Sequence, residues 1–544
     1  MKKLLSLLVP ALLLLALLPA TAQDKLGKSL DKIIDQMDKG RNAPGGTIAV
    51  SKGTTPLYSR SFGSADLEHT INFTENTITE SGSVAKQFTA TAVLLLVNDG
   101  KINPEDDIRK YIPELKYYGD TMRVRHLLTH TSGLKDWGVL FAMAGAPRGT
   151  KAYTMKQALD VIYRQSGLNF PPGTQYSYSN SNFIVLYEVV QRVSGMPFTS
   201  FCKQRIFDPA GMSHTQWRDD FRNIVPGRAQ AYGYNKTEKR YYLDMPFDHV
   251  IAAGALLTTS GDMLNWNRFW ARKGFGEKVS VLRITPGQLK DGRNIHYALG
   301  AVFVNPVQGA NCISHAGLTA GYRTWVAYFP ETDITIVVLC NGVEKIPTEE
   351  IAAAVLENDN GATKKKKSVK TWPLRDEQVK AYPGTYAAIR GHHIIEIEKK
   401  NERLYFATGA ELLAMTKDTL TTGSRKMVYS ADNNSFLSVT GEDTVTYRRV
   451  FKTNVNEAQL AAYKGTYYSS DVQTTVNLQV RNGRLYFVRY PATNAALSPA
   501  YLDAFFMGND LIKFAIDAKQ TITGFYLSSG TGRADDVFFR RSSQ

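Results

Sequence analysis

Residues 80–100 read Glu80-Ser81-Gly82-Ser83-Val84-Ala85-Lys86-Gln87-Phe88-Thr89-Ala90-Thr91-Ala92-Val93-Leu94-Leu95-Leu96-Val97-Asn98-Asp99-Gly100. Glu80-Ser81-Gly82 is a turn, Val84 to Val97 is a mainly apolar run of helical length, and Asn98-Asp99-Gly100 is a helix stop. The run predicts a helix buried in the core, with Ser83 at its entrance. Ser83 and Lys86 lie one turn apart on one face, so the ammonium lowers the cost of a serine alkoxide. The positive end of the helix dipole and the free N–H groups of the first turn favour an oxyanion at the same place.

A Ser-x-x-Lys pattern is weak by itself. It occurs four times here, at Ser29/Lys32, Ser83/Lys86, Ser132/Lys135 and Ser200/Lys203. Ser29 belongs to a first helix over Asp24–Lys39, whose Leu26, Leu30, Ile33, Ile34 and Met37 recur at amphipathic spacing. Ser132 precedes Gly133 in a loop, and Ser200 lies between aromatic residues with no turn before it. Only Ser83 stands where a turn enters a buried helix.

Outward from this stretch, residues 45–51 and 57–62 alternate as two strands joined by the turn Lys52-Gly53-Thr54-Thr55-Pro56, a hairpin. Residues 312–315, 322–329 and 334–340 read as an antiparallel meander, followed by a helix over about 348–357. Between hairpin and meander, residues 105–285 mix helical patterns with Gly, Pro and Asn turns. The expectation is one sheet shared by the two ends, with the helical middle packed on it. Asn358 to Lys370 is linker-like.

Beyond the linker the chain repeats. Ala381-Tyr382-Pro383-Gly384-Thr385-Tyr386 matches Ala462-Tyr463-Lys464-Gly465-Thr466-Tyr467, and Asn401 to Phe406 matches Asn482 to Phe487, both at an offset of 81 residues. Two matches at one offset make a duplicated, strand-rich module. Two small antiparallel barrels are expected, because closure removes exposed strand edges. Such modules either shape the pocket of the preceding domain or only tether it.

Two further segments carry chemistry. Tyr178-Ser179-Asn180 follows Pro171-Pro172-Gly173-Thr174. A tyrosine beside a lysine serves as general base if its pKa is lowered, and the asparagine amide can hold the lysine and bind a substrate carbonyl. His315-Ala316-Gly317 ends one meander strand, where a hydrogen-bonding side chain followed by small residues lets a substrate backbone lie alongside. Leu318 would add its backbone N–H as an oxyanion donor.

Ser83-Val84-Ala85-Lys86, Tyr178-Ser179-Asn180 and His315-Ala316-Gly317, with Arg125-His126-Leu127-Leu128-Thr129-His130-Thr131-Ser132-Gly133-Leu134, together resemble the serine β-lactamase and penicillin-binding protein superfamily in its class C-like branch. The resemblance covers about residues 24–360 and implies an α/β (α+β) sandwich of antiparallel sheet and helices. It implies Ser83 as acyl-enzyme nucleophile, Lys86 and Tyr178 as the proton-transfer pair, and Asn180, His315, Gly317 and Leu318 as substrate-binding groups. His315 stands where β-lactamases of this branch carry lysine. Histidine there, with duplicated C-terminal barrels, resembles the D-aminopeptidases and related peptidases or esterases.

The expected boundaries are a signal peptide at 1–22, the catalytic domain at 23–360, a linker at 361–372, and repeats at 373–455 and 456–544. Lys2, Lys3, the apolar Leu4–Leu18 and Ala20-Thr21-Ala22 read as a cleaved export signal placing the protein in the periplasm or medium. That stretch is short for a membrane span, and Pro10 and Pro19 interrupt it. The three cysteines cannot form a disulfide framework and are expected to be free and buried. The net charge of +15 is diffuse and forms no nucleic-acid site. His126 and His130 have zinc-ligand spacing but lack the glutamate and third ligand of such sites, so no metal or other cofactor is expected. The function expected is hydrolysis of a small peptide, amide or ester, with D-amino acid and cell-wall peptides as candidate substrates. A β-lactamase or D,D-carboxypeptidase is the alternative, and a non-catalytic wall-binding protein the reading from another class.

Overall fold

Alternation along the meander dictates what covers each face of the sheet. In the strand Ile334–Cys340 every residue is buried: Ile334, Ile336, Val338 and Cys340 join one apolar cluster, whereas Val337 and Leu339 join another. A strand buried on both faces must lie inside a three-layer stack. The structure, a computed structural model, describes residues 20–147, 149–359, 371–390, 394–422, 425–431, 434–440, 443–489 and 493–542.

Helix α1 (Ala20–Met37) is followed by strands β1 (Gly46–Lys52) and β2 (Thr55–Phe62). A single 3-10 turn, Gly82–Ala85, leads into α2 (Lys86–Asn98), and α3 (Ser181–Ser194) lies in the helical middle region. The meander comprises β3 (Pro286–Gln288), β4 (Asn294–Ala298), β5 (Val302–Val307), β6 (Ala310–Thr319), β7 (Tyr322–Phe329) and β8 (Ile334–Cys340), followed by α4 (Thr348–Asn358). The hairpin and the meander share one antiparallel sheet of order β3-β4-β5-β6-β7-β8-β1-β2, with Gly46 facing Cys340 in register. Leu26, Leu30, Ile33 and Ile34 of α1 and Ile351, Val355 and Leu356 of α4 cover one face. The other face packs on the helical region around α2, which is buried from Lys86 to Val97.

The module 81 residues apart is visible in detail. Short helices span Asp376–Ala381 and Glu457–Ala462. Tyr386 donates to the Tyr382 carbonyl at 2.9 Å, and Tyr467 donates to the Tyr463 carbonyl at 2.8 Å. Arg449 and Arg541 sit over those same two tyrosine rings. The first copy is a closed barrel of eight strands from Gly384–Ala388 to Asp443–Val450. The second is a nine-stranded, nearly closed sheet from Gly465–Ser469 to Val537–Arg541. The last strand begins three positions after its predecessor ends in the first copy, Thr440 to Asp443, and nine positions after in the second, Ser528 to Val537.

The two copies dock differently. The first keeps its own core around Tyr386, Leu404 and Phe436, whereas the core of the second, including Tyr467, Phe487 and Phe525, is continuous with that of the helical layer. Ser166 donates to Asp471 through backbone N–H (3.2 Å) and hydroxyl (2.8 Å), and Thr474 donates to the Ala144 carbonyl at 3.3 Å.

The export segment 1–19 and residues 361–370 of the linker lie outside the described residues; Ala20-Thr21-Ala22 belong to α1. No described helix is long and apolar enough to cross a membrane. Cys202, Cys312 and Cys340 are free and buried.

Candidate active site

Ser83 is carried on the 3-10 turn that precedes α2 rather than on the helix proper. The turn needs Gly82, whose φ of +53° suits a residue without Cβ. Strand β6 lies across it. Phe303–Ser314 is the last β5–β6 pair, so residues 315–319 have no β5 partner and that side of the strand meets the Ser83 turn. A methyl group on Gly317 would overlap the Ser81 carbonyl oxygen, and one on Gly82 would come within 2.7 Å of the Leu318 nitrogen. The Leu318 side chain points out to solvent. Thus Gly317 permits the close approach and Leu318 brings its backbone amide beside Ser83.

Lys86 is fully buried. Its Nζ donates to Ser83 Oγ at 3.2 Å and to the Ala253 carbonyl at 2.6 Å, over the rings of Tyr178 and Phe183. Burial brings its pKa down to about 7; Asp136 opposes the shift and Arg533 adds to it. The Ala253 carbonyl is held by a strained segment, since Ala252 (φ 73°) and Ala255 (φ 63°) are both left-handed, each at a cost of about 1–2 kcal/mol.

Tyr178 precedes α3 and stacks on His130 at 4.1 Å between ring centroids. Its hydroxyl is buried and makes no aligned hydrogen bond among the described residues. Burial pushes its pKa above the ordinary phenol value, with Ser83 and Arg533 as the opposing influences. The condition for a tyrosinate base is therefore not met, and the group of this pair with a pKa near neutrality is Lys86.

Asn180 differs from expectation in its partner. Its backbone N–H and Nδ2 donate to Asp136 Oδ2 at 2.8 and 2.9 Å, not to anything on Lys86. Asp136 also caps the helix Trp137–Met143 through Gly138 and Val139. The asparagine faces the cavity, and its backbone carbonyl accepts from the Phe183 and Ile184 N–H groups at 3.0 and 3.2 Å.

His315 is buried with both nitrogens engaged, Nδ1 to the Ala316 carbonyl at 2.6 Å and Nε2 to the Tyr297 hydroxyl at 3.0 Å. Since the carbonyl only accepts, Nδ1 carries the proton and Nε2 accepts from Tyr297. Burial, then Lys86, brings its pKa down to about 3, so the ring is neutral. It lines the cavity, but its nitrogens serve the protein rather than a substrate, because Tyr297 has filled the position the sequence left open.

The remaining Ser-x-x-Lys pairs are accounted for. Ser132 Oγ bonds Asn182 Oδ1 at 2.5 Å, and Lys135 is turned to the Asp536 carbonyl of the second barrel. Lys203 pairs with Asp208 at the surface, and Lys32 is exposed. His126 accepts from the Arg123 N–H, and His130 takes Ser179 N–H on Nδ1.

Ser83, Tyr178, Asn180, His315, Gly317 and Leu318 line one cavity of about 690 Å³, with Lys86 sealed behind Ser83. Arg533, from the connection 529–536 of the second barrel, lines it too. Asp136, Tyr297, the Ala253 carbonyl and Arg533 are the site residues that sequence reading missed. Only Asp136, an aspartate before an apolar run, left a local signal, and that signal was for a helix cap.

Fold and cavity together define a class, a serine hydrolase with a β-lactamase/transpeptidase-like fold and C-terminal barrels. The chain belongs to the Beta-lactamase family, whose model matches residues 30–359. It is similar to Penicillin-binding protein 4* of Bacillus subtilis (strain 168), at 28% identity over 395 residues, 68% of this chain and 84% of that one. It is similar also to a D-aminopeptidase of Cereibacter sphaeroides, at 23% identity over 465 residues, 84% of this chain and 86% of the other. The octameric penicillin-binding protein homologue from Pyrococcus abyssi shares the fold at a TM-score of 0.55 and 20% identity, over 85% of this chain and 98% of that one.

Proposed function

We propose that this enzyme is an exported hydrolase that forms an acyl-enzyme on Ser83 with small peptides, amides or esters, D-amino acid and cell-wall peptides among them. The observation that carries the reading is Lys86, buried, 3.2 Å from Ser83 Oγ and with its pKa brought down to about 7. Its neutral amine takes the hydroxyl proton as Oγ bonds to the substrate carbonyl carbon. The carbonyl oxygen, now an oxyanion, receives the N–H groups of Ser83 and Leu318. Tyr178, kept as a neutral phenol by burial, gives its proton to the leaving nitrogen or oxygen and regains one from Lys86. Water then attacks the ester carbonyl, its proton travels the same path, and Ser83 leaves as a hydroxyl.

Neutral His315, where β-lactamases of this branch carry a lysine, supports a peptidase or esterase. The two named relatives, a D-aminopeptidase and a penicillin-binding protein, support peptide and amide substrates. Export rests on Lys2, Lys3, Leu4–Leu18 and Ala20-Thr21-Ala22; a mature chain secreted with its N-terminus at Gln23 is the expected result. The central test is intact-protein mass spectrometry after incubation with peptides, D-amino acid p-nitroanilides, p-nitrophenyl esters and nitrocefin. An adduct on Ser83, absent in Ser83→Ala, is expected. An equal adduct on Ser83→Ala would falsify the assignment.

A further inference from the structure

The carboxylates of the catalytic cavity are all engaged, three by cations and Asp136 by neutral donors. Glu80 is held by Arg218 (2.8 Å) and Arg228 (3.4 Å), Asp248 by Arg218 (3.4 Å), Glu344 by Lys236 (2.8 Å) and Asp136 by Asn180. Among the described residues, Arg323, Lys345 and Arg533 line the same cavity without an ion pair. Arg323 spends one guanidinium nitrogen on the carbonyls of Ala320 and Tyr322, and Lys345 lies exposed at the rim. Arg533 is different. Its side chain enters no hydrogen bond among the described residues and lies over Tyr178, 5.1 Å from the ring centroid.

Its backbone, in contrast, is fixed. The Arg533 carbonyl accepts from the Asp136 N–H at 2.8 Å and from Asn169 Nδ2 at 3.2 Å. On one side the Gly532 carbonyl accepts from Ser177 Oγ at 3.2 Å, and on the other the Asp535 N–H donates to Asn169 Oδ1 at 2.9 Å. The second barrel thus fixes, on the Asp136 N–H, the backbone that carries a guanidinium beside Tyr178. A held cation with spare donors, in a cavity whose carboxylates are already engaged, is built to receive an anion, and a planar guanidinium suits a carboxylate.

We propose that Arg533 is a specificity residue of this site and that the substrate it selects carries a carboxylate close to the scissile carbonyl. This rests on Ser83 as the acylated residue. The strand supplies no cation, since His315 is neutral, so recognition of the anion is delegated to the second barrel. A free amino group in the same position would be repelled.

Matched alkyl fluorophosphonates ending in a carboxylate or in the carboxamide, with tails of several lengths, test both ideas. Ser83 Oγ bonds to phosphorus, fluoride leaves and Lys86 takes the proton. At one tail length or more the acid is expected to label wild type about ten-fold faster than the amide, as a charge-assisted pair gives. In Arg533→Ala that ratio falls to near one, in Arg533→Glu it inverts, and Arg533→Lys keeps its direction. The ratio is internal to each variant, so a loss of reactivity common to both probes does not mask it. Equal labelling by acid and amide at every length overturns the Arg533 assignment while leaving Ser83 standing, as does a ratio unchanged in Arg533→Ala. No labelling by either probe overturns the Ser83 reading, and the proposal with it.

Discussion

Lys86 concentrates the conflict between stability and activity. Buried without a carboxylate partner, it is held at a pKa of about 7 against an ordinary 10.5. Below about pH 7 it is charged folded or unfolded and the full cost of burial is felt; as pH rises from about 7 towards 10.5 the folded state is relieved of it. Lys86→Met is therefore expected to stabilise the protein by about 1–4 kcal/mol at about pH 6 and by less at about pH 9, read by denaturant unfolding. The same substitution should lower kcat by about a thousand-fold or more, as loss of a general base with its nucleophile does. In wild type, kcat/KM should rise with pH through about 7, where the amine loses its proton. A profile flat from about pH 5.5 to 8.5 would remove Lys86 from the proton path.

Between elements, the approach of β6 to the Ser83 turn is the most exacting contact. Gly317→Ala must push the strand from the Ser81 carbonyl, moving the Leu318 N–H away from the oxyanion. A loss of about 100-fold in kcat is expected, the size of effect seen when one such donor is removed, with a lowered melting temperature. Beneath the turn, Glu80 and Arg218 form a buried pair at 2.8 Å. Arg218→Met leaves Glu80 a weaker partner in Arg228 at 3.4 Å, and should destabilise by about 3–5 kcal/mol in denaturant melts. The elements of this region were legible because their signals are local: the run Val84–Val97 marks a buried helix, and alternation marks the meander. Contacts that tune the site were not. Lys86 to Ala253 and Tyr178 to Arg533 span long intervals of chain, and neither alanine nor arginine carries a pattern announcing its partner. His315 shows the same limit, since its residue type was readable but Tyr297, which consumes its Nε2, was not.

Over the whole molecule, cohesion does not follow the sequence repeat. Duplication was plain at an offset of 81 residues, yet the second copy shares a core with the helical layer and the first does not. Scanning calorimetry should show the catalytic unit and the second barrel melting together, with the first barrel in a separate transition. Removing residues 456–544 would strip that shared core and take Arg533 from the cavity, so it should cost both stability and substrate preference. The contrast lies before the last strand, where the second copy inserts the segment 529–536 that carries Arg533, while in the first copy Asp443 begins its strand only three positions after Thr440 ends the one before. A spare copy of a module can lengthen a turn without endangering the chemistry of its neighbour, and a longer turn that happens to reach the pocket becomes heritable selectivity. In such an architecture the reaction and its choosiness can evolve on separate stretches of gene, and swapping one short loop is the natural way to re-aim the enzyme.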